Sequence, residues 1–273
     1  SQKDYKLWWS NLRRWFNNLL FLRNRFKRTS DNLTIKCFSD KLKLMSKLYI
    51  IATPIGNLED ICFRALRILK EVDLILCEDT RVTKKLLEHY RIEKPVESYH
   101  QHSKLNKIEK IKELLKQGKN LALVSDSGTP GISDPGNKLI SILVGGLMSN
   151  LEIVPIPGPS AVTAIASISG FPMDKFVFMG FPPHKKGRQK FFKELNEYKY
   201  PVIIYESPHR IVKTLNGLKN INEFDIVVGR ELTKKFETIY RGKISEIIPK
   251  IEPRGEFVIV VNPAKGGAIN YEK

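Results

Sequence analysis

The sequence contains little cysteine and no long apolar run, and each shortage excludes a class of protein. Its 273 residues include three cysteines, Cys37, Cys62 and Cys77, which are too few and too widely spaced for a disulfide framework. The sequence contains no C-x-x-C pair, the pattern that would indicate a structural zinc site. No stretch approaches the roughly 18 consecutive apolar residues that a membrane-spanning helix needs. We therefore expect a protein of a reducing, cytoplasmic compartment without a membrane partner.

Acidic residues are scarce relative to basic ones. The chain has 46 Lys and Arg against 29 Asp and Glu, a formal net charge of +17. A surface of this sign attracts polyanions, so nucleic acid is the natural partner class. Because lysine-rich solvated faces are common, charge alone leaves nucleic-acid binding and mere solubility as equal alternatives.

Residues 1–44 differ in composition from the rest of the chain. All three tryptophans and eleven Lys and Arg fall there, and apolar residues at helical spacing predict a basic amphipathic helix. A targeting peptide, an RNA-binding or membrane-surface arm, and an upstream extension are the alternatives. An apolar strand begins just after Met45, which favours Met45 as the natural start and residues 1–44 as an extension outside the fold.

From residue 48 onward, short apolar runs alternate with amphipathic stretches, a pattern typical of α/β proteins. We expect a two-domain fold: a largely parallel sheet with helices in 45–170, a mixed α/β sheet in 171–265, and a tail at 266–273. Strands are predicted at 48–52, 72–77, 120–124, 152–156, 176–180, 202–205, 225–228, 237–240 and 257–261. Helices are predicted at 58–69, 82–90, 108–115, 188–198 and 210–218.

Ligands of parallel sheets bind beyond the carboxyl ends of the strands, so the loops after the strands are the candidate sites. The loop Ser125-Asp-Ser-Gly-Thr-Pro-Gly-Ile-Ser-Asp-Pro-Gly136 is rich in glycine and compact hydroxyl groups, which permits close approach of a ligand. Its spacing matches neither the dinucleotide fingerprint nor the P-loop. On spacing alone, a structural turn and a ligand cradle are equal alternatives.

Other strand-end motifs also allow two interpretations. Glu78-Asp-Thr-Arg81 can position a hydroxyl or a phosphate, or simply begin a helix with Asp79 as its N-cap. The cationic run 183–190 can contact phosphate beside its flanking phenylalanines, or form a solvated loop. The motifs 205–210 and 229–235 can be caps or salt bridges. His100-Gln-His102 lacks further clustered ligands, so no metal is predicted.

The ordered set of motifs resembles one family. Leu-Tyr-Ile-Ile-Ala-Thr-Pro-Ile-Gly-Asn, Glu-Asp-Thr-Arg, the segment 125–136, Pro-Ile-Pro-Gly-Pro-Ser-Ala, Tyr-Glu-Ser-Pro-His-Arg and Gly-Arg-Glu-Leu-Thr-Lys closely resemble the ribosomal RNA small subunit methyltransferase I family of the tetrapyrrole-methylase fold group. The resemblance spans about residues 47–262. Gly-Phe-Pro-Pro at 180–183 departs mildly from the Gly-Phe-Leu-Pro expected.

The resemblance implies S-adenosylmethionine as cofactor, bound between two α/β domains, a homodimer, and 2′-O-methylation of a decoding-centre cytidine in 16S rRNA, on free rRNA or the small ribosomal subunit. By analogy the cofactor residues are Pro54, Ile55, Asp126, Gly128, Thr129, Ile132, Ser160, Ala161, Tyr205 and Arg230. Candidates for a group that accepts the hydroxyl proton are Asp79, Glu231 and His209, unranked. Candidates for rRNA phosphate contacts are Arg81, Lys185, Lys186 and Arg188.

Two rival functions stay open from the sequence. The first is a small-molecule methylase of the same fold group acting on a tetrapyrrole. Such relatives generally carry a glycine-rich loop after the first strand, where this chain has Thr53-Pro-Ile-Gly-Asn57. The second is a non-catalytic RNA-binding protein with a degenerate pocket, which binding of S-adenosylmethionine would distinguish.

Overall fold

The first sheet of the fold is entirely parallel. The computed structural model describes residues 45–100, 105–146 and 150–263. Within them the first sheet has the strand order β3-β2-β4-β1-β5. Its strands are β1 (Ser46–Ile51), β2 (Leu74–Cys77), β3 (Val96–Ser98), β4 (Leu121–Val124) and β5 (Leu151–Ile156). Every residue of β4, Leu-Ala-Leu-Val, is buried, as expected for a strand covered on both faces.

Four helices cover the two faces of this sheet in pairs. The helices are α1 (Phe63–Glu71), α2 (Thr80–His89), α3 (Leu105–Lys116) and α4 (Asn137–Gly145). Buried residues of α1 and α2 pack with Ile51, Ile75 and Val124 on one face. Those of α3 and α4 pack with Leu48 and Leu121 on the other. The chain therefore changes direction across the sheet between β1 and β4, which opens a crevice at their carboxyl ends.

The second sheet is mixed, with the order β6-β7-β10-β8-β9. Its strands are β6 (Val177–Gly180), β7 (Val202–Glu206), β8 (Asp225–Arg230), β9 (Thr238–Lys243) and β10 (Phe257–Asn262). The pair β6 and β7 is parallel and the other pairs are antiparallel. The remaining α-helices of the described chain are α5 (Ala161–Ile168), α6 (Arg188–Glu197), α7 (Ile211–Lys219) and α8 (Ile244–Ile247), with 3-10 turns at Leu58–Asp60 and Ile248–Lys250.

The two faces of the second sheet pack on different partners because side chains alternate along each strand. Alternate residues of its strands pack with α6, α7 and α8. The opposite set, which includes Ile203, Val227 and Val258, packs with Val162 and Ile165 of α5. Helix α5 precedes residue 170 in the chain, so it ties the first half of the molecule to the second sheet. The domain division at residue 170 stays a prediction.

The predicted α/β class and the arrangement of a parallel sheet followed by a mixed one are confirmed. Each predicted strand and helix matches an observed element, with ends displaced by a few residues. The short strand β3 and helices α4, α5 and α8 were not predicted. Residues 1–44 and 266–273 lie outside the described residues. No helix in the described parts of the chain has both the length and the apolar character to cross a membrane.

Candidate functional site

Three loops at the carboxyl edge of the first sheet are bound to one another. Thr53 and Gly128 exchange backbone hydrogen bonds of 2.9 and 3.0 Å, which join the loops after β1 and β4. The hydroxyl of Thr53 also donates to the carbonyl of Ser125 over 3.0 Å. The hydroxyl of Thr129 donates to the carbonyl of Pro159 over 3.3 Å and so adds the loop after β5. These hydrogen bonds join segments that are 30 to 75 residues apart in the chain. They therefore hold the three loops together at this edge of the sheet.

The glycine-rich loop owes its path to backbone angles that most residues avoid. Gly128 has φ +79°, and a Cβ atom there would lie 3.3 Å from Cγ2 of Ile55. Ser133 adopts φ 64° without being glycine, which marks a strained position at a candidate site. Its Oγ would lie 3.2 Å from a Cβ placed on Gly180, so the loop reaches the second sheet.

A cavity of about 320 Å³ lies where this loop faces the second sheet. Its size falls in the range of small-molecule sites. The first half of the chain contributes Ile55, Ser127, Gly128, Thr129, Ile132, Ser133, Asp134, Ser160 and Ala161 to its wall. The second half contributes Phe181, Tyr205, Glu206, Ser207, Pro208, Gly229, Leu232, Glu256, Phe257 and Val258.

Aromatic rings form one side of this cavity. The Tyr205 ring contacts Phe178 and Phe181 edge-to-face, with centroid distances of 5.0 and 5.4 Å. Burial, together with the nearby Asp134 charge, raises the pKa of Tyr205 to about 12, so its hydroxyl stays protonated at neutral pH. This side therefore combines flat apolar surface with one hydroxyl donor.

Asp134 is the titratable wall residue whose pKa moves closest to neutrality among the described residues. Burial is the main cause, and the neighbouring Glu78 and Asp126 charges add to it, while a hydrogen bond from Ser125 opposes them; together they raise the pKa of Asp134 to about 6. A carboxylate with this pKa can accept a proton near neutral pH. Sequence reasoning missed Asp134 as a functional residue. Its position inside the 125–136 segment was the available signal.

Most of the residues proposed for cofactor binding meet in this cavity. Its wall contains Ile55, Gly128, Thr129, Ile132, Ser160, Ala161 and Tyr205. Pro54 is buried beside Ile55, and Asp126 accepts a hydrogen bond of 2.9 Å from the Asp79 backbone N–H. Pro54 and Asp126 are not part of the described cavity wall.

Arg230 does not face the cavity, contrary to its expected role. Its neighbour Gly229 lines the cavity, and the alternation along β8 directs the Arg230 side chain to the opposite face. There its Nε donates to the Arg254 carbonyl over 2.8 Å and its guanidinium pairs with Glu252 at 3.1 Å. Arg230 therefore holds the 252–254 turn, with its side chain directed away from the cavity.

The three candidate proton acceptors lie outside the described cavity wall. Asp79 is the N-cap of α2: it accepts a 2.8 Å hydrogen bond from Arg81 N–H, and its pairing with the Arg81 side chain lowers its pKa to about 2. Burial acts to raise the pKa of Glu231, but hydrogen bonds from Glu256 N–H and Lys234 outweigh burial and lower it. His209 is exposed on the turn after β7.

The residues proposed for RNA contact divide into exposed and buried. Lys185 and Lys186 are exposed in the turn before α6. The Arg81 side chain is 87% exposed but pairs with Asp79 at 2.6 Å. Arg188 is buried, donates to the Pro183 carbonyl over 2.9 Å and lies 3.6 Å from Glu206. Because its guanidinium is occupied inside the protein, the expectation that Arg188 contacts RNA phosphate is not compatible with this arrangement.

The weak metal motif at His100 is only partly within the described residues, since residue 102 lies outside them. Among the described residues, no three histidine, cysteine or carboxylate side chains are grouped for a metal ion.

Comparison with known proteins places the chain among methylases. Residues 47–248 match the family of tetrapyrrole (corrin/porphyrin) methylases. "Ribosomal RNA small subunit methyltransferase I" of Thermotoga maritima is 45% identical over 80% of this chain and 99% of its own length. The protein of that name from Bacillus subtilis is 44% identical over 84% of this chain and 79% of its own length.

Solved structures share the fold at much lower identity. The methyltransferase CobJ has a TM-score of 0.60 at 18% identity, covering 80% of this chain and 94% of its own. The cobalt precorrin-4 methyltransferase CbiF has a TM-score of 0.58 at 18% identity, covering 80% and 95%. At this identity the two structures support the fold alone. The sequence relatives and the family match establish that the chain belongs to the ribosomal RNA small subunit methyltransferase I family of the tetrapyrrole methylases.

Proposed function

We propose that this protein transfers a methyl group from S-adenosylmethionine to small-subunit ribosomal RNA, on the ribose 2′-hydroxyl of a decoding-centre cytidine in 16S rRNA. One observation carries the proposal: loops from both halves of the chain, including those with the family motifs, line one cavity. Relatives at 44–45% identity that are named for this substrate class support the RNA part of the proposal.

The chemistry of the cavity wall fits S-adenosylmethionine. Ile55, Ile132 and Leu232 offer apolar surface, and the Tyr205 and Phe181 rings offer flat surface for a nucleoside base. Asp134 offers negative charge to a cationic ligand. The positive φ of Gly128 lets the backbone turn close to Ile55 without a side chain between them. When bound, the cofactor supplies an electrophilic methyl group on a positively charged sulfur.

The chain's own part in the reaction is to position the ribose hydroxyl and to receive its proton. Holding two reactants in line is a principal source of rate enhancement. We propose Asp134 as the proton acceptor in place of Asp79, Glu231 and His209, because Asp134 lies in the cavity wall. An Asp134 carboxylate oxygen would take the proton of the ribose hydroxyl as that oxygen receives the methyl group that bound S-adenosylmethionine would supply.

Exposed cations beside the cavity complete the proposal. Lys185 and Lys186 follow the wall residue Phe181 by a few residues. We propose that they contact rRNA phosphates, with Arg81 as a further contact once RNA competes for its exposed guanidinium. The substrate is the 16S rRNA, free or in the small ribosomal subunit, and the protein is proposed to act as a homodimer.

Two measurements test the proposed function. Isothermal calorimetry with S-adenosylmethionine tests the cofactor; absence of binding would instead favour a non-catalytic RNA-binding protein. Transfer of a labelled methyl group to small subunits, compared with transfer to a tetrapyrrole acceptor, tests the substrate class. Label in the tetrapyrrole and none in RNA would identify a small-molecule methylase.

A further inference from the structure

A buried ionic cluster includes one residue of the cavity wall and is not used in the proposed chemistry. Glu206, the last residue of β7, has a fully buried side chain and also lines the cavity. One of its oxygens, Oε1, lies 2.7 Å from Arg210 Nη2 and accepts a 2.7 Å hydrogen bond from Ser207 N–H. The other, Oε2, lies 3.6 Å from Arg188 Nη2 and accepts a hydrogen bond from the Thr214 hydroxyl. A single carboxylate therefore serves two arginines.

Each arginine also donates one N–H to the same short segment. Arg188 Nη1 donates to the Pro183 carbonyl over 2.9 Å. Arg210 Nη1 donates to the Pro182 carbonyl over 3.0 Å. The two side chains are 8% and 15% exposed, so these bonds are shielded from water. Two consecutive backbone carbonyls are thus tied to Glu206 through two guanidinium groups.

The segment held in this way carries groups that face the cavity and groups that face solvent. Phe181, directly before the tied carbonyls, lines the cavity and contacts Tyr205. Lys185 and Lys186, two and three residues after Pro183, are exposed. The turn ends at Gly187, whose φ of +87° lets α6 begin. A displacement of the two carbonyls would therefore move an aromatic wall residue and two cations together.

The charges make this attachment stiff. Two guanidinium groups face one carboxylate, which leaves one positive charge in excess. The carbonyl oxygens of Pro182 and Pro183 carry partial negative charge and partly offset that excess. Leaving a buried charge without partners is costly, which disfavours any position of the turn that breaks these bonds. Only the planar fork of arginine reaches a carboxylate and a carbonyl at once; a lysine ammonium cannot reproduce that geometry.

We propose that Glu206, Arg188 and Arg210 form a positioning relay that presents Phe181, Lys185 and Lys186 to the RNA nucleotide entering the cavity. The relay rests on the proposed function, because it concerns RNA at that same site. Its members are positioning residues: they act through the 181–187 turn and make no contact with phosphate themselves.

Arg210→Lys is the most direct test, since it keeps the positive charge beside Glu206 and removes the fork to Pro182. We expect binding to small-subunit rRNA to weaken about tenfold, as for loss of one charged hydrogen bond. Binding of S-adenosylmethionine should weaken by a smaller factor, because Phe181 is the residue of this turn that lines the cavity, whereas Lys185 and Lys186 face solvent. Arg241→Lys is the matched control, because Arg241 also donates to a backbone carbonyl, that of Ile168, over 2.6 Å. It should leave both affinities unchanged.

A double-mutant cycle separates positioning from general destabilisation. If the relay acts through the two lysines, Arg210→Lys should weaken RNA binding much less in a Lys185→Ala, Lys186→Ala background than in the wild-type background. Trypsin should also cleave the native protein after Lys185 and Lys186 about tenfold faster in Arg210→Lys, because loss of the hydrogen bond to Pro182 lets the turn open more often. Thr214→Val, which removes a hydroxyl bonded to both Arg188 and Glu206, should shift RNA binding in the same direction if Arg210→Lys does not fold.

Additive effects in the cycle, or faster cleavage of the turn with unchanged RNA affinity, would overturn the relay. If the wild-type protein bound no small-subunit RNA, the proposed function would fail and the RNA-presenting role of the relay with it. The trypsin comparison distinguishes the two failures, because it reports the attachment of the turn without any ligand.

Discussion

Thr53 and Gly128 pair backbone to backbone, with N···O distances of 2.9 Å and 3.0 Å between loops that are 75 residues apart in the chain. The pairing places Ile55 and the 128–134 segment in one cavity wall. It also links two motifs: the Thr-Pro-Ile-Gly-Asn motif contributes Thr53 to the bridge, and the glycine-rich motif contributes Gly128.

Replacing Gly128 with alanine should damage this wall. The residue has φ +79°, and the new Cβ would lie 3.3 Å from Ile55 Cγ2. We expect a loss of about 1–2 kcal/mol in the free energy of unfolding, from the left-handed backbone, measured by urea denaturation. Affinity for S-adenosylmethionine, measured by calorimetry, should fall at least tenfold, which corresponds to about 1.4 kcal/mol of binding free energy. The reason is that the cavity wall depends on this path of the backbone.

Gly145→Ala provides the control for that variant. Gly145 lies at the end of α4, and a Cβ there would meet no heavy atom within 4 Å. We expect a gain of up to about 0.5–1 kcal/mol in stability from the helix preference of alanine, with unchanged cofactor binding. Equal loss of affinity in the two variants would contradict the role assigned to Gly128.

Asp134→Asn tests the proton acceptor through the dependence of activity on pH. The pKa of about 6 means that the Asp134 carboxyl is ionised above pH 6, so wild-type kcat/KM should rise through that pH and then level off. The variant should lose about a hundredfold or more in kcat, typical of removing a general base, and should lack the rise near pH 6. If the variant instead lost affinity for S-adenosylmethionine with kcat unchanged, Asp134 would be a cofactor ligand.

Asp134 should also leave a signature in stability. Its folded pKa lies above the value of about 3.9 for an unfolded aspartate, so the folded state binds more protons between these two values. The free energy of unfolding should consequently fall as pH rises from about 4 to about 6. Asp134→Asn should raise Tm relative to wild type at pH 8 and have a smaller effect at pH 4. A constant difference across this range would contradict the raised pKa.

Two substitutions of Asp79 distinguish a role in helix capping from a role in catalysis. Asparagine caps helices as well as aspartate does, so Asp79→Asn should keep both stability and activity close to wild type, whereas Asp79→Ala should lose about 1 kcal/mol of stability. Chemical denaturation and a methyl-transfer assay of both variants check this. A collapse of activity in the asparagine variant would restore Asp79 as a proton acceptor.

Charge reversal at Lys185 and Lys186 tests the RNA surface. The double change to glutamate should weaken RNA binding at every salt concentration. It should also make the slope of log K against log salt shallower, by the amount expected for the loss of about two phosphate contacts. Affinity for S-adenosylmethionine should stay nearly unchanged. The control is the pair Lys70→Glu and Lys219→Glu. These exposed residues lie in the last turns of α1 and α7, the helices that follow β1 and β7 and lead away from the carboxyl ends of those strands. Equal weakening by both pairs would make the effect one of net charge.

Much of the fold follows from local pattern. The strands β4 and β10 are apolar throughout or nearly so, and α3 repeats buried residues at Ile108, Ile111 and Leu115, which is the periodicity that sequence reasoning uses. Helix α5 was missed because its Ala-Val-Thr-Ala-Ile-Ala-Ser-Ile sequence has no charged residue to mark a solvent face. Strand β3 is only three residues long and has no fully buried residue.

The site was less predictable because side-chain roles depend on partners far away in sequence. Arg188 was read as a surface cation, yet its partners Glu206 and Thr214 come from β7 and α7. Arg230 follows the wall residue Gly229, and only the strand alternation separates their faces. Burial is the main cause that raises the pKa of Asp134, and the charges of Glu78 and Asp126 add to it; these groups come together only when β2 and β4 lie side by side.

The central claim is methyl transfer to one ribose of small-subunit rRNA, and mapping 2′-O-methyl groups tests it most directly. The map compares 16S rRNA from cells with and without the protein, and from cells that carry the Asp134→Asn variant. We predict that one decoding-centre cytidine is methylated only in the presence of the wild-type protein. An identical methylation map in all three would contradict the account.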